Sequence, residues 1–168
     1  MKLEVPFYSQ TNATNCGPAA LQMILSYFGK HLTLDDIERD ACIESGKALY
    51  TIQLALAAAR YGFDVRFYTK SLGLNPRHFE MDFYKKYSSM DEVRMVQIVR
   101  DAEQAGVIVI EHSVNLNEIL SFVHTGSLVL VLLDWNVVLG KEGYQGHFVP
   151  ITGHDKRFVY VHNPGPKD

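Results

Sequence analysis

The sequence predicts an α+β fold with a mostly antiparallel sheet towards its C-terminal end. Three observations carry this. Helix signals, meaning 3.6-residue apolar spacing with caps and glycine stops, concentrate between about residues 1 and 106. Apolar runs of strand length concentrate between about 107 and 168. The last two runs are separated only by Gly153-His154-Asp155-Lys156, a turn that makes them an antiparallel hairpin. Such segregation favours α+β over a doubly wound parallel sheet.

Residues 3 to 8 read as a short extended segment, with Pro6 at an edge or at the start of pairing. Ser9 to Asn15 is a polar loop. A helix begins near Cys16. Pro18 fits its first turn, Leu21, Ile24, Leu25 and Phe28 share one face, and Gly29 stops it. A second helix starts on Thr33 as N-cap, with Asp36 completing an approximate capping box, and ends before Ser45-Gly46. Cys42 sits inside it as a core thiol. The third helix, Thr51 to Tyr61, is apolar around most of its circumference, which predicts the most buried helix, and Gly62 ends it.

Phe63 to Thr69 alternates as a strand. Asn75-Pro76 opens a helical stretch with Phe79, Phe83 and Tyr84. Asp91 to Gln104 is a helix with Val93, Val96 and Val99 at three-residue spacing, closed by Gly106. Val107 to Val114 is a strand, Leu116 to His124 a helix capped by Asn115, and Leu128 to Trp135 an apolar central strand. A loop, Asn136 to Gln145, precedes the closing strands Gly146 to Thr152 and Arg157 to His162. There is no internal repeat.

At 168 residues the chain suits one domain able to bury its own core. A 47% hydrophobic and 11% aromatic composition argues against disorder. A net charge of -3 provides no basic stripe, so no nucleic-acid partner is expected. The start, MKLEVPFYSQ, lacks the apolar stretch of a signal peptide. No apolar run is long enough to span a membrane. A cytoplasmic protein with both cysteines reduced is the expectation.

The chemistry centres on Cys16. A thiol at a loop-to-helix junction feels the positive end of the helix dipole, which favours thiolate. Gly17 leaves the backbone open to a substrate. Gln10, six positions earlier, is a candidate donor to an oxyanion, together with the Cys16 N–H. Among seven histidines, His147 opens a strand after Gly146, a further substrate-binding candidate. Pro150 implies that its missing N–H faces an unpaired side of that strand. A turn centred near Asp155 sets His147 opposite Asn163, whose amide oxygen can orient the imidazole. His154 falls in the turn, and His162 faces the other side of its strand. Trp135 is a candidate to line the cleft, and Gly140 to Gln145 a substrate loop. The spacings do not match a zinc site, so neither metal nor cofactor is expected.

Gln10, Asn15-Cys16-Gly17-Pro18-Ala19, Gly146-His147-Phe148-Val149 with Thr152-Gly153, and Tyr160-Val161-His162-Asn163-Pro164 occur in that order. Together they resemble the papain-like, bacteriocin-processing (double-glycine type) cysteine peptidases and their stand-alone relatives. Thr51-Ile52-Gln53-Leu54, Thr69 to Gly73 and Tyr144-Gln145-Gly146-His147-Phe148 also resemble the guanylyl-cyclase-domain-containing family, which shares that fold. The resemblance implies one papain-like domain over residues 1–168, its nucleophile helix packed on the sheet. It implies Cys16 as nucleophile, His147 as base and acid, Asn163 as orienter and Gln10 as oxyanion donor, acting on a peptide or protein substrate. Asn163 departs from the bacteriocin-processing pattern, which usually has Asp there. The membrane and ATPase domains of transporter-linked members are also missing, so leader cleavage during export is not implied.

The expected activity is therefore hydrolysis of a peptide or amide bond, or acyl transfer, through an acyl-enzyme. A non-catalytic peptide-binding domain and a guanylyl cyclase are the alternatives. Cyclisation needs metal-binding carboxylates and a phosphate cradle. No GxxxxGK[ST] motif or suitably placed Asp pair is present.

Overall fold

Helix α1 (Cys16–Tyr27) starts and stops where its local signals lie. Pro18 occupies the first turn, and Gly29 leaves the helix at φ +81°. The structure, a computed structural model, describes residues 2–44, 46–73, 77, 80–88 and 91–165. α2 (Leu34–Asp40) opens on a complete capping box: Thr33 Oγ1 accepts from the Asp36 amide at 3.1 Å, and the Asp36 carboxylate accepts from the Thr33 amide at 3.2 Å. α3 (Ile52–Arg60) is buried from Ile52 through Ala58, as its all-round apolar sequence requires.

Cys42 differs from expectation. α2 ends at Asp40, and Cys42 lies beyond it, exposed, at φ +55°. Gln53, 2% exposed, explains the early end: its Nε2 donates to the carbonyls of Ala41 and Cys42 at 2.9 and 2.8 Å. A buried amide from α3 satisfies carbonyls that a longer α2 would have used.

β1 (Arg66–Thr69) pairs in parallel with β2 (Ile108–Glu111), in a sheet separate from the antiparallel one. α4 (Asp82–Tyr87) and α5 (Glu92–Gln104) lie between them in sequence. Asn75, Pro76 and Phe79 of the expected helical stretch fall outside the described residues. Of the α5 valines only Val99 packs inward, beside Ile98 and Ala102. Val93 is 81% exposed and Val96 46%, whereas Ile98 and Ala102 are buried. A three-residue spacing drifts around a 3.6-residue helix, and the (i, i+4) pair holds the core face.

α6 (Leu116–His124) follows a capping box of Asn115 and Glu118. β3 (Val129–Asp134) leads into α7 (Trp135–Leu139), a short helix in place of the expected loop. β4 (Gly146–His154) and β5 (Val159–Val161) complete the antiparallel sheet in the order β3-β4-β5. The centre is thus β4, with seven consecutive buried residues, and β3 is an edge. α1 packs on β4, and Cys16, Leu25, Leu54 and Phe148 share one core cluster. The opening segment bridges the far end of β4, where the Leu3 amide donates to the Thr152 carbonyl at 2.7 Å. The fold is therefore mixed α+β, and it departs from expectation in α7 and in the separate parallel pair of β1 and β2. Among the described residues no helix is long and apolar enough to cross a membrane.

The hairpin register is shifted. Ile151 faces Val161, and a bulge separates this pair from Gly153–Tyr160. Continued past β5, that ladder would set Asn163 opposite Val149 and diagonal to His147. The shift is two residues, so His147 and Asn163 keep the same face. Pro150 accepts from the His162 amide at 3.2 Å. Its missing N–H faces the same side, just where β5 ends, so this central strand tolerates proline.

Candidate functional site

Cys16 is the first residue of α1. The loop before it is held by Asn15, which is 4% exposed. Asn15 Oδ1 accepts from the amides of Thr11 and Asn12 at 3.0 and 3.1 Å, and its Nδ2 donates to Thr11 Oγ1 and Glu38 Oε1 at 2.8 and 3.1 Å. Asn15 therefore orders the loop and gives α1 no side-chain cap. That role could be suspected from a lone Asn at a helix start.

The backbone amides of Phe148, Gly17 and Cys16 face the thiol and favour the thiolate. Burial is the larger effect. Cys16 is 8% exposed, and desolvation pushes its thiol above the usual range. The lowered pKa expected from the helix terminus is thus overturned, because the same packing that seats the sulfur also removes water from it.

His147 pairs with Leu133 in the sheet and immediately precedes Phe148, which shares a core cluster with Cys16. Its Nε2 lies 2.7 Å from Asn163 Oδ1. Asn163 Oδ1 also accepts from the Gly165 amide at 2.9 Å. An atom that accepts from an N–H is the amide oxygen, so His147 Nε2 must carry a hydrogen and donate. The neutral ring then leaves Nδ1 as its basic nitrogen. Burial holds His147 below the ordinary histidine range, and the Asn163 bond only partly offsets this. Burial thus favours the neutral form of both groups, the thiol of Cys16 and the imidazole of His147.

Trp135 packs on the histidine. Its ring sits 4.9 Å from the His147 ring at 51°, at the start of α7. Gln10 comes close to the far end of the site, since its amide donates to the Pro164 carbonyl at 2.7 Å. Its side-chain Nε2 is engaged with Asn12 O at 2.8 Å, and its buried Oε1 has no hydrogen-bond partner. Gly17 is not an open approach either. A Cβ there would lie 2.8 Å from Leu49 Cδ2 and 3.0 Å from Leu54 Cδ1, so the glycine serves packing. His162 faces away from Asn163, edge-on to Phe7 at 5.6 Å, and His154 ends β4 rather than sitting in the turn. Among the described residues, no group of three or more His, Cys, Asp or Glu gathers to hold a metal ion.

A shallow pocket, open to solvent, lies beside the thiol. Its wall includes Cys16, Leu49, Phe83, Leu132, Tyr144 and Gly146, and none of its described lining residues is charged. Tyr84 of α4 stacks on Tyr144 at 5.6 Å and 15°, and its hydroxyl donates to that of Tyr144 at 3.3 Å. The Tyr144 hydroxyl comes within 2.8 Å of where a Gly146 Cβ would stand, so a side chain before His147 would push the tyrosine aside. Sequence reading missed this tyrosine pair, which joins residues sixty positions apart.

A family model described as "Guanylylate cyclase" matches residues 5–168. Among curated proteins, "Guanylyl cyclase 1" of Arabidopsis thaliana is 28% identical over 169 residues, covering 91% of this chain. The chain spans 61% of that relative's length. No solved structure matches the chain.

Proposed function

The chain belongs to the guanylylate cyclase family, and we propose that its site works as a thiol centre, a cysteine hydrolase or acyl transferase on a papain-like domain spanning residues 1–168. The observation that carries this reading is the 2.7 Å His147–Asn163 bond, on the strand whose next amide reaches the Cys16 sulfur. It orients an imidazole, fixes its tautomer and leaves Nδ1 as the basic nitrogen, one residue along β4 from the Phe148 amide that faces the thiol.

Because thiol and ring are both neutral at rest, the proton moves as attack proceeds. Cys16 Sγ bonds to a peptide or amide carbonyl carbon, its proton passes to His147 Nδ1, and the carbonyl electron pair moves to oxygen. The Cys16 amide at the start of α1 is the nearest fixed donor to that oxyanion. Gln10 joins it only if its Nε2 turns away from Asn12. The imidazolium then protonates the leaving amine, and the C–N bond breaks to leave a thioester. Water, or a second amine, gives its proton to His147, attacks the thioester and releases the thiol. Asn163 holds the ring through both halves of the cycle.

The test is trapping of an acyl-enzyme on Cys16, by intact mass after mixing with activated acyl esters and a peptide library. The expected adduct maps to Cys16 and vanishes in Cys16→Ala. A chain truncated before Asn163 that turns over at the full rate would remove the triad assignment.

A second reading, nucleotide cyclisation, is favoured by the family description and the relative's name. It implies phosphates held by divalent metal. The described residues do not fit that group: they gather no metal-ligating cluster, and the pocket wall carries no cation. Cyclic GMP formed from GTP with Mg²⁺ or Mn²⁺, and retained in Cys16→Ala, would replace the thiol reading with this one.

A further inference from the structure

Resting on the thiol reading, we propose that the pocket beside Cys16 takes an uncharged, bulky apolar side chain of the substrate's acyl part, and that Tyr144 sets this preference.

The thiol is itself part of the pocket wall. Whatever occupies the pocket is therefore attached within a few bonds of the carbonyl that Cys16 attacks. The wall is built largely from Leu49, Phe83, Leu132, Tyr144 and Phe148, and none of its described residues is charged. An ammonium or carboxylate placed there would lose water without meeting an opposite charge among them. The hydroxyls on the wall, from Thr14, Thr51 and the two tyrosines, are neutral, and Tyr84 spends its proton on Tyr144 at 3.3 Å. A phosphate would find no cation among the described residues.

Shape points the same way. Phe83 meets Tyr144 edge-on at 6.1 Å and 79°, and Tyr84 backs it by stacking, so the Tyr144 ring is fixed from two sides. Gly146 brings the ring down towards the strand that carries His147. A substrate with glycines on both sides of the site would leave this wall uncovered. The preference therefore departs from the double-glycine substrates of the peptidases the motifs resemble.

The experiment uses dipeptidyl chloromethyl ketones, from which the thiol displaces chloride to form a thioether. The two positions carry Leu or Phe, Gly-Gly, Asp, or Lys, and Cys16 labelling is followed by mass spectrometry. Each rate is divided by the same variant's rate with iodoacetamide, which needs no pocket. The Leu and Phe probes should label Cys16 at least about tenfold faster than the Gly-Gly and charged probes, the fold expected for burying one apolar side chain. Tyr144→Ala should reduce that advantage to about threefold or less. Leu132→Lys, at a wall position that is 40% exposed and tolerant of charge, should turn the preference towards the Asp probe. Gly-Gly labelling as fast as Leu, or an unchanged preference in Leu132→Lys, overturns the proposal. If iodoacetamide modifies Cys16 but no peptidyl probe does, the thiol reading itself falls, and this proposal with it.

Discussion

Gly17→Ala is the most direct probe of how the site is packed. The added Cβ would meet Leu49 Cδ2 at 2.8 Å, Leu54 Cδ1 at 3.0 Å and Phe148 Cδ2 at 3.2 Å. Leu49 is only half-buried and can turn aside. Leu54 and Phe148, 3% and 8% exposed, are held in the core. Overpacking at such a site costs about 1–3 kcal/mol. Alanine recovers at most about 0.5–1 kcal/mol of helix propensity, and less in a first turn. The net loss should be about 1–2 kcal/mol. For a chain of this size each kcal/mol moves Tm by about 2–4 °C, so the variant should melt about 2–8 °C below the wild type. Differential scanning calorimetry measures this directly. A Tm equal to or above the wild type would refute the packing role and return Gly17 to the open backbone that its sequence context suggested.

Three further outcomes follow from the site and its surroundings. At pH 7, iodoacetamide should modify exposed Cys42 well before Cys16, whose rate should climb only above the ordinary thiol pKa of about 8.5; peptide mapping that finds Cys16 modified first would contradict the effect of burial. His147 and His162 are both held below the ordinary histidine value, chiefly by burial, so the unfolded chain binds more protons as pH falls below about 6.5. Their stabilisation is present above that pH and is lost as pH falls through the folded values, so urea midpoints should drop between pH 7 and pH 5, and the drop should shrink in His147→Gln. Thr33→Ala removes the acceptor of the α2 capping box and should cost about 1 kcal/mol, read from urea unfolding.

Local features of the fold were legible in the sequence. The start of α1 at Cys16, the Thr33–Asp36 box, the Asn115 cap and the Gly29 and Gly62 stops each depend on residues within one or two turns of each other. The juxtaposition of His147 and Asn163 was legible too, although the ladder is shifted by two residues. A slip of two keeps side chains on one face, so parity preserved what the register missed. Cys42 was not legible, because its place outside α2 is set by Gln53 reaching over from α3. The inward face of α5 was not legible for a related reason: of the three evenly spaced valines only Val99 packs inward, and the contact with α3 decides that.

The sequence by itself determined the short-range architecture and the shared face of His147 and Asn163, because caps, stops and strand alternation are set by neighbours along the chain. Only the tertiary structure decided the electrostatic state of the site. A helix start favours thiolate, but the contact with Phe148 that seats the sulfur also excludes water, and the desolvation is the larger effect. It also decided that Gln10 bonds within its own loop, that Trp135 lies against His147, and that an uncharged aromatic wall faces the thiol. Each of these depends on which distant segments meet and how much water they exclude.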